Sequence, residues 1–251
     1  MQRSVAIVTG GNRGLGKDMV RQLAARGVSV IFTYRGNREE ADSLVSELQS
    51  GQSDVRALKL NVGETAQYEA FAGEVKSVLS GWGLSRFNFL VNNAGIGIHA
   101  PFAETTEEQF DQLMNVHFRG VFFLTQKLLP LIADGGRIIN ISSGLARFAL
   151  PGMSAYASMK GAIEVLTRYL AKELGPRGIG VNTIAPGAIE TDFGGGTVRD
   201  NRETNSFVAS VTALGRAGKP EDIGGVVASL LSPENAWVNG QRIEVSGGML
   251  L

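Results

Sequence analysis

Tyr156 and Lys160 stand four residues apart in a helical pattern, so their side chains share one face. A phenol beside an ammonium has its phenolate favoured, which brings a group of reference pKa about 10 toward neutral pH. Such a group suits general acid–base work on a carbonyl or an alcohol: it protonates a developing alkoxide or takes the proton back. Ser142 and Ser143 follow a β-branched run, and Ser143 can hydrogen-bond a substrate oxygen and orient it. Alone, Tyr-x-x-x-Lys also arises as an ordinary surface pair on a helix. Its weight comes from what precedes it in the chain.

Val5-Ala6-Ile7-Val8 runs into Thr9-Gly10-Gly11-Asn12-Arg13-Gly14-Leu15-Gly16 and then a helical pattern. A glycine turn between a strand and a helix lets backbone N–H groups approach a pyrophosphate, and the helix N-terminus adds partial positive charge. The candidate contacts are Gly10, Asn12, Arg13, Gly14, Leu15 and Gly16, with Gly16 also allowing close packing of helix on strand. The spacing G-x-x-x-G-x-G differs from the commoner G-x-G-x-x-G, but its place at the first strand–helix junction is that of a dinucleotide site. An acid at the end of the second strand would bind the 2′-hydroxyl of NAD. Here Phe32-Thr33-Tyr34-Arg35-Gly36-Asn37 offers none before Glu39. Tyr34 and Arg35 lie at that position, and Arg35 with Arg13 presents guanidinium forks suited to a 2′-phosphate. The expected cofactor is NADPH, with NADH a weaker alternative.

The elements that must position these residues alternate along the chain. Strand-like runs cover Val5–Val8, Ser29–Thr33, Val55–Leu60, Phe89–Val91, Arg137–Ile141, Gly180–Ile184 and Arg242–Val245. Helical patterns cover Gly14–Arg26, Arg38–Gln49, Ala66–Leu79, Thr106–Ile132, Ser154–Leu174 and Pro220–Leu231. Most strands are apolar on both faces, as in a parallel sheet buried between helices. The order predicts an α/β fold: a Rossmann-type doubly wound parallel sheet in one domain, residues 1–251. Its cofactor-binding half spans about 1–100 and its catalytic and substrate half about 101–251. Residues 189–214 read as irregular, carry Gly194-Gly195-Gly196, and are expected to form a mobile lid at the carboxyl edge of the sheet. Phe148 and Met153, between Ser143 and Tyr156, are candidate substrate contacts with Phe193 and Phe207 of the lid. His99 and Phe102, after the fourth strand, are candidates too. Apolar side chains there suit a hydrophobic ketone. His99 and His117 have no metal-ligand companions, so neither reads as a ligand and no metal is expected.

Composition narrows the classes. Net charge is zero over 251 residues and no basic stripe occurs, which argues against nucleic-acid binding. Without cysteine there can be no disulfide, thiolate nucleophile or cysteine-based zinc site. The most apolar stretch, Val121 to Ala133, is interrupted by Gln126, Lys127 and Pro130 and falls short of a membrane span. Met1-Gln2-Arg3-Ser4 leads straight into the first strand, leaving no room for a signal peptide, so a soluble cytoplasmic chain is expected.

Taken together, the motifs resemble those of the short-chain dehydrogenase/reductase family. They are Thr9-Gly10 through Gly14-Leu15-Gly16, Asn61-Val62, Asn92-Asn93-Ala94-Gly95, Asn115, Ser142-Ser143, Tyr156-Ala157-Ser158-Met159-Lys160, Asn182, Pro186-Gly187 and Ser246-Gly247-Gly248. The resemblance implies a catalytic tetrad of Asn115, Ser143, Tyr156 and Lys160. Asn115 would sit at a helix distortion and hold a water leading to Lys160, which also holds the nicotinamide ribose. Asn61 and Val62 would flank the adenine, and Asn93, Ala94 and Gly95 the ribose. Pro186, Gly187, Ile189 and Thr191 would meet the nicotinamide end. The resemblance also implies a homotetramer. The motif details are most similar to 3-oxoacyl-(acyl-carrier-protein) reductases and related carbonyl reductases. A carrier needs basic docking residues, yet Ile132-Ala133-Asp134-Gly135-Gly136 has none, leaving Arg177 as the one candidate. The leading expectation is therefore NADPH-dependent reduction of a small-molecule ketone to a secondary alcohol. Reduction of 3-oxoacyl thioesters is the alternative enzyme. A non-catalytic dinucleotide sensor is the alternative of another class, and it would have no need of a proton relay.

Overall fold

The computed structural model of the chain describes residues 3–49, 51 and 53–251. Seven parallel strands form one sheet: β1 (Val5–Val8), β2 (Ser29–Tyr34), β3 (Val55–Lys59), β4 (Phe87–Asn92), β5 (Ile132–Ile141), β6 (Gly180–Pro186) and β7 (Arg242–Val245). Their order is β3-β2-β1-β4-β5-β6-β7. The chain winds outward one way from β1 and the other way from β4. Between those two strands lies the switch point, where a crevice opens at the carboxyl ends.

Strand alternation divides the core. Val5 and Ile7 of β1 face Phe71, Val75 and Leu79 of α3 (Tyr68–Gly81) and Leu124 and Leu128 of α5 (Gly120–Leu128). Ala6 and Val8 face the opposite layer. It is built by Met19, Val20 and Leu23 of α1 (Gly14–Ala25), Leu44 of α2 (Arg38–Leu48), and Ile223 and Val227 of α9 (Pro220–Leu230). Period two in the strand thus supplies both apolar layers.

Two expectations need correction. Thr106–Ile132 is not one helix: α4 (Glu107–Met114) passes through a π-helical turn, Asn115–Arg119, into α5, and Leu129–Leu131 tightens to a 3₁₀ turn. The π turn begins at Asn115, where the family resemblance placed a helix distortion that the apolar pattern, read as one helix, passes over. Pro130 ends the helix, and Ile132 already belongs to β5, paired with Phe87. Residues 189–214 are not irregular throughout. Gly194, Gly195 and Gly196 all have positive φ, and beyond them come α7 (Thr197–Asp200) and α8 (Arg202–Ser210). Asn201 caps α8, accepting the Thr204 N–H at 2.9 Å.

The remaining long helix, α6 (Ser154–Glu173), carries Tyr156 and Lys160 and is keyed to the sheet by a buried polar ladder. Asn92 of β4 donates to Asn140 of β5 at 2.8 Å, and Asn140 donates to Thr167 of α6 at 2.9 Å. Thr183 of β6 donates to the same hydroxyl at 2.7 Å. These groups have no solvent to fall back on, so the ladder specifies one placement of α6. Among the described residues no helix is long and apolar enough to cross a membrane.

Candidate active site

The glycine turn is built for close approach. Gly10 and Gly14 have φ of +64° and +53°, and a Cβ on Gly16 would drive into the Gly10 carbonyl. Gly10 N–H donates to the Thr33 hydroxyl at 3.0 Å, while Asn93 Nδ2 donates to the Thr9 and Gly10 carbonyls at 2.9 and 3.1 Å. Asn93 therefore braces the turn as well as lining the cleft. No side chain caps α1, and its first turn holds no acid, which leaves its N-terminal N–H groups and their partial positive charge for an anion. These residues fit a dinucleotide pyrophosphate.

From this turn a cleft of about 930 Å³ runs across the carboxyl edge of the sheet. Arg13 and Arg35 line it together with Gly36 and Asn37, and neither arginine forms an ion pair among the described residues. Asn61, Val62, Ala94 and Gly95 follow, then Ser143, Tyr156 and Lys160, then Pro186, Gly187, Ile189 and Thr191. Phe148, Met153, Phe193, His99 and Phe207 line it as well, with the Phe193 ring centroid 5.7 Å from that of Tyr156. Tyr34 does not line the cleft. It packs against the core, because alternation along β2 turns Thr33 and Tyr34 to opposite faces. Phe102 is 84% exposed and also lies outside it. Asn115 begins the π turn, where its Oδ1 is buried without a partner.

Electrostatics depart from the sequence expectation. Burial, not the lysine, dominates Tyr156 and pushes its phenol up to about 12, and the neighbouring Ser143 hydroxyl pulls the other way. Lys160 Nζ donates to the Ile141 carbonyl at 2.7 Å and lies 5.6 Å from the Tyr156 ring centroid. Its own burial pulls it down to about 7, so its charge is only partly present at neutral pH. The phenol therefore keeps its proton across the neutral range, the state a proton donor requires.

Sequence reading set His117 aside. The structure stands it edge-on to Tyr156, ring centroids 5.1 Å apart. Its Nε2 lies 2.7 Å from the Ile96 carbonyl, and its Nδ1 is buried without a partner. Gly95 makes room for it, since a Cβ there would come within 2.8 Å of the imidazole. Ile96, Ile98 and Met249 were missed as cleft residues as well. Nothing local marks them, because separate loops bring them together.

Arg177 does not offer a free charge. It donates to Asp134 at 2.8 Å and to the Leu129 and Ile132 carbonyls at 3.1 and 2.5 Å. The only basic candidate for carrier docking is thus occupied in holding the end of α6 to the start of β5.

A doubly wound parallel sheet with a glycine turn and a cleft at its switch point is a dinucleotide-binding architecture. Comparison with known proteins agrees. The family model described as enoyl-(acyl carrier protein) reductase matches residues 10–250. The trihydroxynaphthalene reductase PfmaI of Pestalotiopsis fici is 32% identical over 262 residues, covering 100% of this chain and 91% of the relative. A blue fluorescent protein from a metagenomic library, solved with NADPH, is 37% identical with TM-score 0.89 over 98% of this chain and 97% of that one. The angucycline C-6 ketoreductase LanV with bound NADP is 31% identical with TM-score 0.93, covering 98% and 95%. The chain belongs to the short-chain dehydrogenase/reductase family and is an NAD(P)-dependent oxidoreductase.

Proposed function

We propose that the chain reduces ketones to secondary alcohols with NADPH, using Tyr156 as the proton donor. The observation that carries this reading is a buried phenol beside Ser143 and Lys160, in the same cleft as an anion-ready glycine turn. The bound dinucleotide supplies the hydride. Ser143 orients the substrate oxygen, and Tyr156 gives its proton to that oxygen as negative charge develops there. Lys160, poised at about 7, passes a proton back toward Tyr156 and holds the ribose. The unpartnered Oδ1 of Asn115 supports a water at the π turn that continues this path.

Arg13 and Arg35, free of ion pairs among the described residues, favour a 2′-phosphate and hence NADPH over NADH. Gly10, Asn12, Gly14, Leu15 and Gly16 take the pyrophosphate. Asn61 and Val62 take the adenine, Asn93, Ala94 and Gly95 the ribose, and Pro186, Gly187, Ile189 and Thr191 the nicotinamide end. The cofactor half spans about 1–100 and the catalytic half about 101–251, within which residues 189–214 act as a lid over the substrate. Phe148, Met153 and Phe193 give an apolar substrate wall. This wall suits ring-bearing ketones such as those named for the naphthalene and angucycline reductases to which the chain is similar. The internal bonding of Arg177 weighs against a carrier-bound 3-oxoacyl substrate. The active species is a cytoplasmic homotetramer.

Tyr156→Phe decides the reading. Loss of turnover by about 10²–10⁴-fold is expected, with NADPH affinity nearly unchanged by fluorescence titration. Rates with a fused-ring aryl ketone and with acetoacetyl thioesters are compared in the same assay, with NADPH and NADH. Turnover that survives the substitution rejects the mechanism, and turnover only of carrier-bound thioester rejects the substrate class. A chain that binds NADPH but reduces nothing is a sensor.

A further inference from the structure

Arg147 lies midway along the crossing from Ser143 to Tyr156, where the chain borders the substrate end of the cleft. Its side chain reaches over the sheet edge to β7. Nε and Nη2 donate to the two carboxylate oxygens of Glu244 at 2.8 and 2.9 Å. Nη2 also donates to the Met249 carbonyl at 2.9 Å, and Nη1 to the Leu250 carbonyl at 3.3 Å. A guanidinium has five N–H donors. Four interactions engage most of this fork within the protein.

The two segments that this fork joins both face the cleft. The guanidinium carbon sits 5.5 Å from the centroid of the Phe148 ring. Phe148 in turn leans on Gly144, where a Cβ would come within 2.7 Å of the ring. Phe148 and Met249 both line the cleft beside Ser143. Met249 is buried, and Leu250 beyond it has φ of +52°, alone among the described non-glycine residues in being positive. That left-handed turn is disfavoured for leucine and needs its neighbours to hold it. Arg147 holds the Met249 and Leu250 carbonyls, one on each side of the Leu250 Cα, and Leu250 N–H donates to the Val211 carbonyl at 2.9 Å.

Glu244 extends the connection inward. It accepts from Arg242 at 3.0 Å and from Ser246 at 2.9 Å. Arg242 donates to Glu164 of α6 at 2.7 Å, one turn beyond Lys160, and Glu164 accepts the Ser142 hydroxyl at 2.8 Å. A continuous chain of charge-assisted bonds, Arg147–Glu244–Arg242–Glu164–Ser142, therefore ties the substrate loop to β7, α6 and the end of β5. Networks of this kind fix geometry more than isolated exposed pairs do.

We infer that Arg147 is a positioning residue for substrate specificity: through Glu244 and the Met249 and Leu250 carbonyls it holds Phe148 and Met249 in place as two walls of the substrate pocket. Large ring-bearing ketones need both walls, whereas a small ketone touches less of them. The kinetic part rests on the ketone-reductase reading; the structural part does not.

Arg147→Met keeps the apolar stem and removes the fork. For a fused-ring aryl ketone KM should rise about tenfold, equivalent to about 1.4 kcal/mol, with kcat and the KM for NADPH little changed. A small alkyl ketone should show a much smaller rise. Arg147→Lys, which keeps charge but cannot bind in bidentate fashion, should fall between. Glu244→Gln should move KM in the same direction as Arg147→Met. Hydrogen exchange of the NADPH-bound protein supplies the second readout: amides of residues 144–153 and 246–250 should exchange faster in Arg147→Met, with β1 and β4 unaffected. Unchanged exchange in those two segments overturns the inference, as does faster exchange spread evenly over the chain. An equal rise in KM for large and small ketones overturns the specificity role. If the parent reduces no ketone, the functional reading falls, and exchange alone still decides the clamp.

Discussion

His117 is held neutral by its surroundings. Burial is the main cause, the nearby Lys160 acts in the same direction, and together they pull the imidazole down to about 3. In the unfolded chain it returns to about 6.5. Between those values the unfolded state binds a proton that the folded state refuses, so stability rises with pH through that window and is lost as pH falls below about 6.5. Lys160 acts in a separate window, from about 7 up to the 10.5 of an ordinary lysine, where stability again rises with pH. His117→Phe keeps a ring against Tyr156 but strands the Ile96 carbonyl, which should cost about 1–3 kcal/mol near neutral pH. That deficit should shrink by up to about 1.4 kcal/mol per pH unit below 6.5. Urea unfolding at several pH values between about 4 and 7 measures it, and a pH-independent deficit refutes the assignment. At this scale the sequence exposed what is local: the Tyr156–Lys160 spacing and the glycine turn. It hid His117, whose role arises from Tyr156 packing across 39 positions of chain. It also misjudged the Tyr156 phenol, because the sign of that shift depends on burial, which spacing does not encode.

Helix α6 must place two chemical groups over one cleft, and its register is where the element meets the chemistry. Tyr156, Lys160, Ile163 and Thr167 share its buried face. Thr167 accepts from Asn140 and Thr183 and donates to the Ile163 carbonyl at 2.9 Å. Thr167→Val keeps the shape and leaves the Asn140 amide and the Thr183 hydroxyl unpaired. A loss of about 1–3 kcal/mol is expected for each buried group left unsatisfied, with Thr167→Ser restoring most of it. Denaturant unfolding of the two variants tests this, and a valine variant as stable as the parent refutes it. Kinetics add a second measure: a slackened α6, which carries both Tyr156 and Lys160, should lower kcat. The alternation of elements and the seven strands were legible because each strand is a short apolar run between turn residues. The π turn left no mark in the apolar periodicity; only the family resemblance, which put Asn115 at a helix distortion, pointed to it. Not legible were α7 and α8, whose short amphipathic patterns are obscured by the three glycines before them.

At the scale of the molecule, the two outer surfaces are unequal in what they leave uncovered. Phe110, Phe122 and Phe123 of α4 and α5 and Val165 and Tyr169 of α6 are exposed large apolar residues on neighbouring helices. A second apolar site is separate from them: Trp237 is 99% exposed, in the turn leading to β7, which is the last strand at one edge of the sheet. Soluble monomers rarely leave apolar surface of this kind uncovered, and an open strand edge invites pairing. Two distinct self-complementary patches are what a dihedral tetramer requires, since each of its interfaces is isologous. The double substitution Phe123→Glu with Tyr169→Glu places like charges across the first patch and should yield a species of half the parent mass in light scattering. Trp237→Glu should do the same through the second. Combining all three should leave a chain of 26.6 kDa. The proposed Tyr156–Lys160 site lies in the cleft of a single chain, so NADPH binding should survive the dissociation. A parent that is monomeric at every concentration tested, or one whose mass none of these charges alters, rules out assembly through these two surfaces.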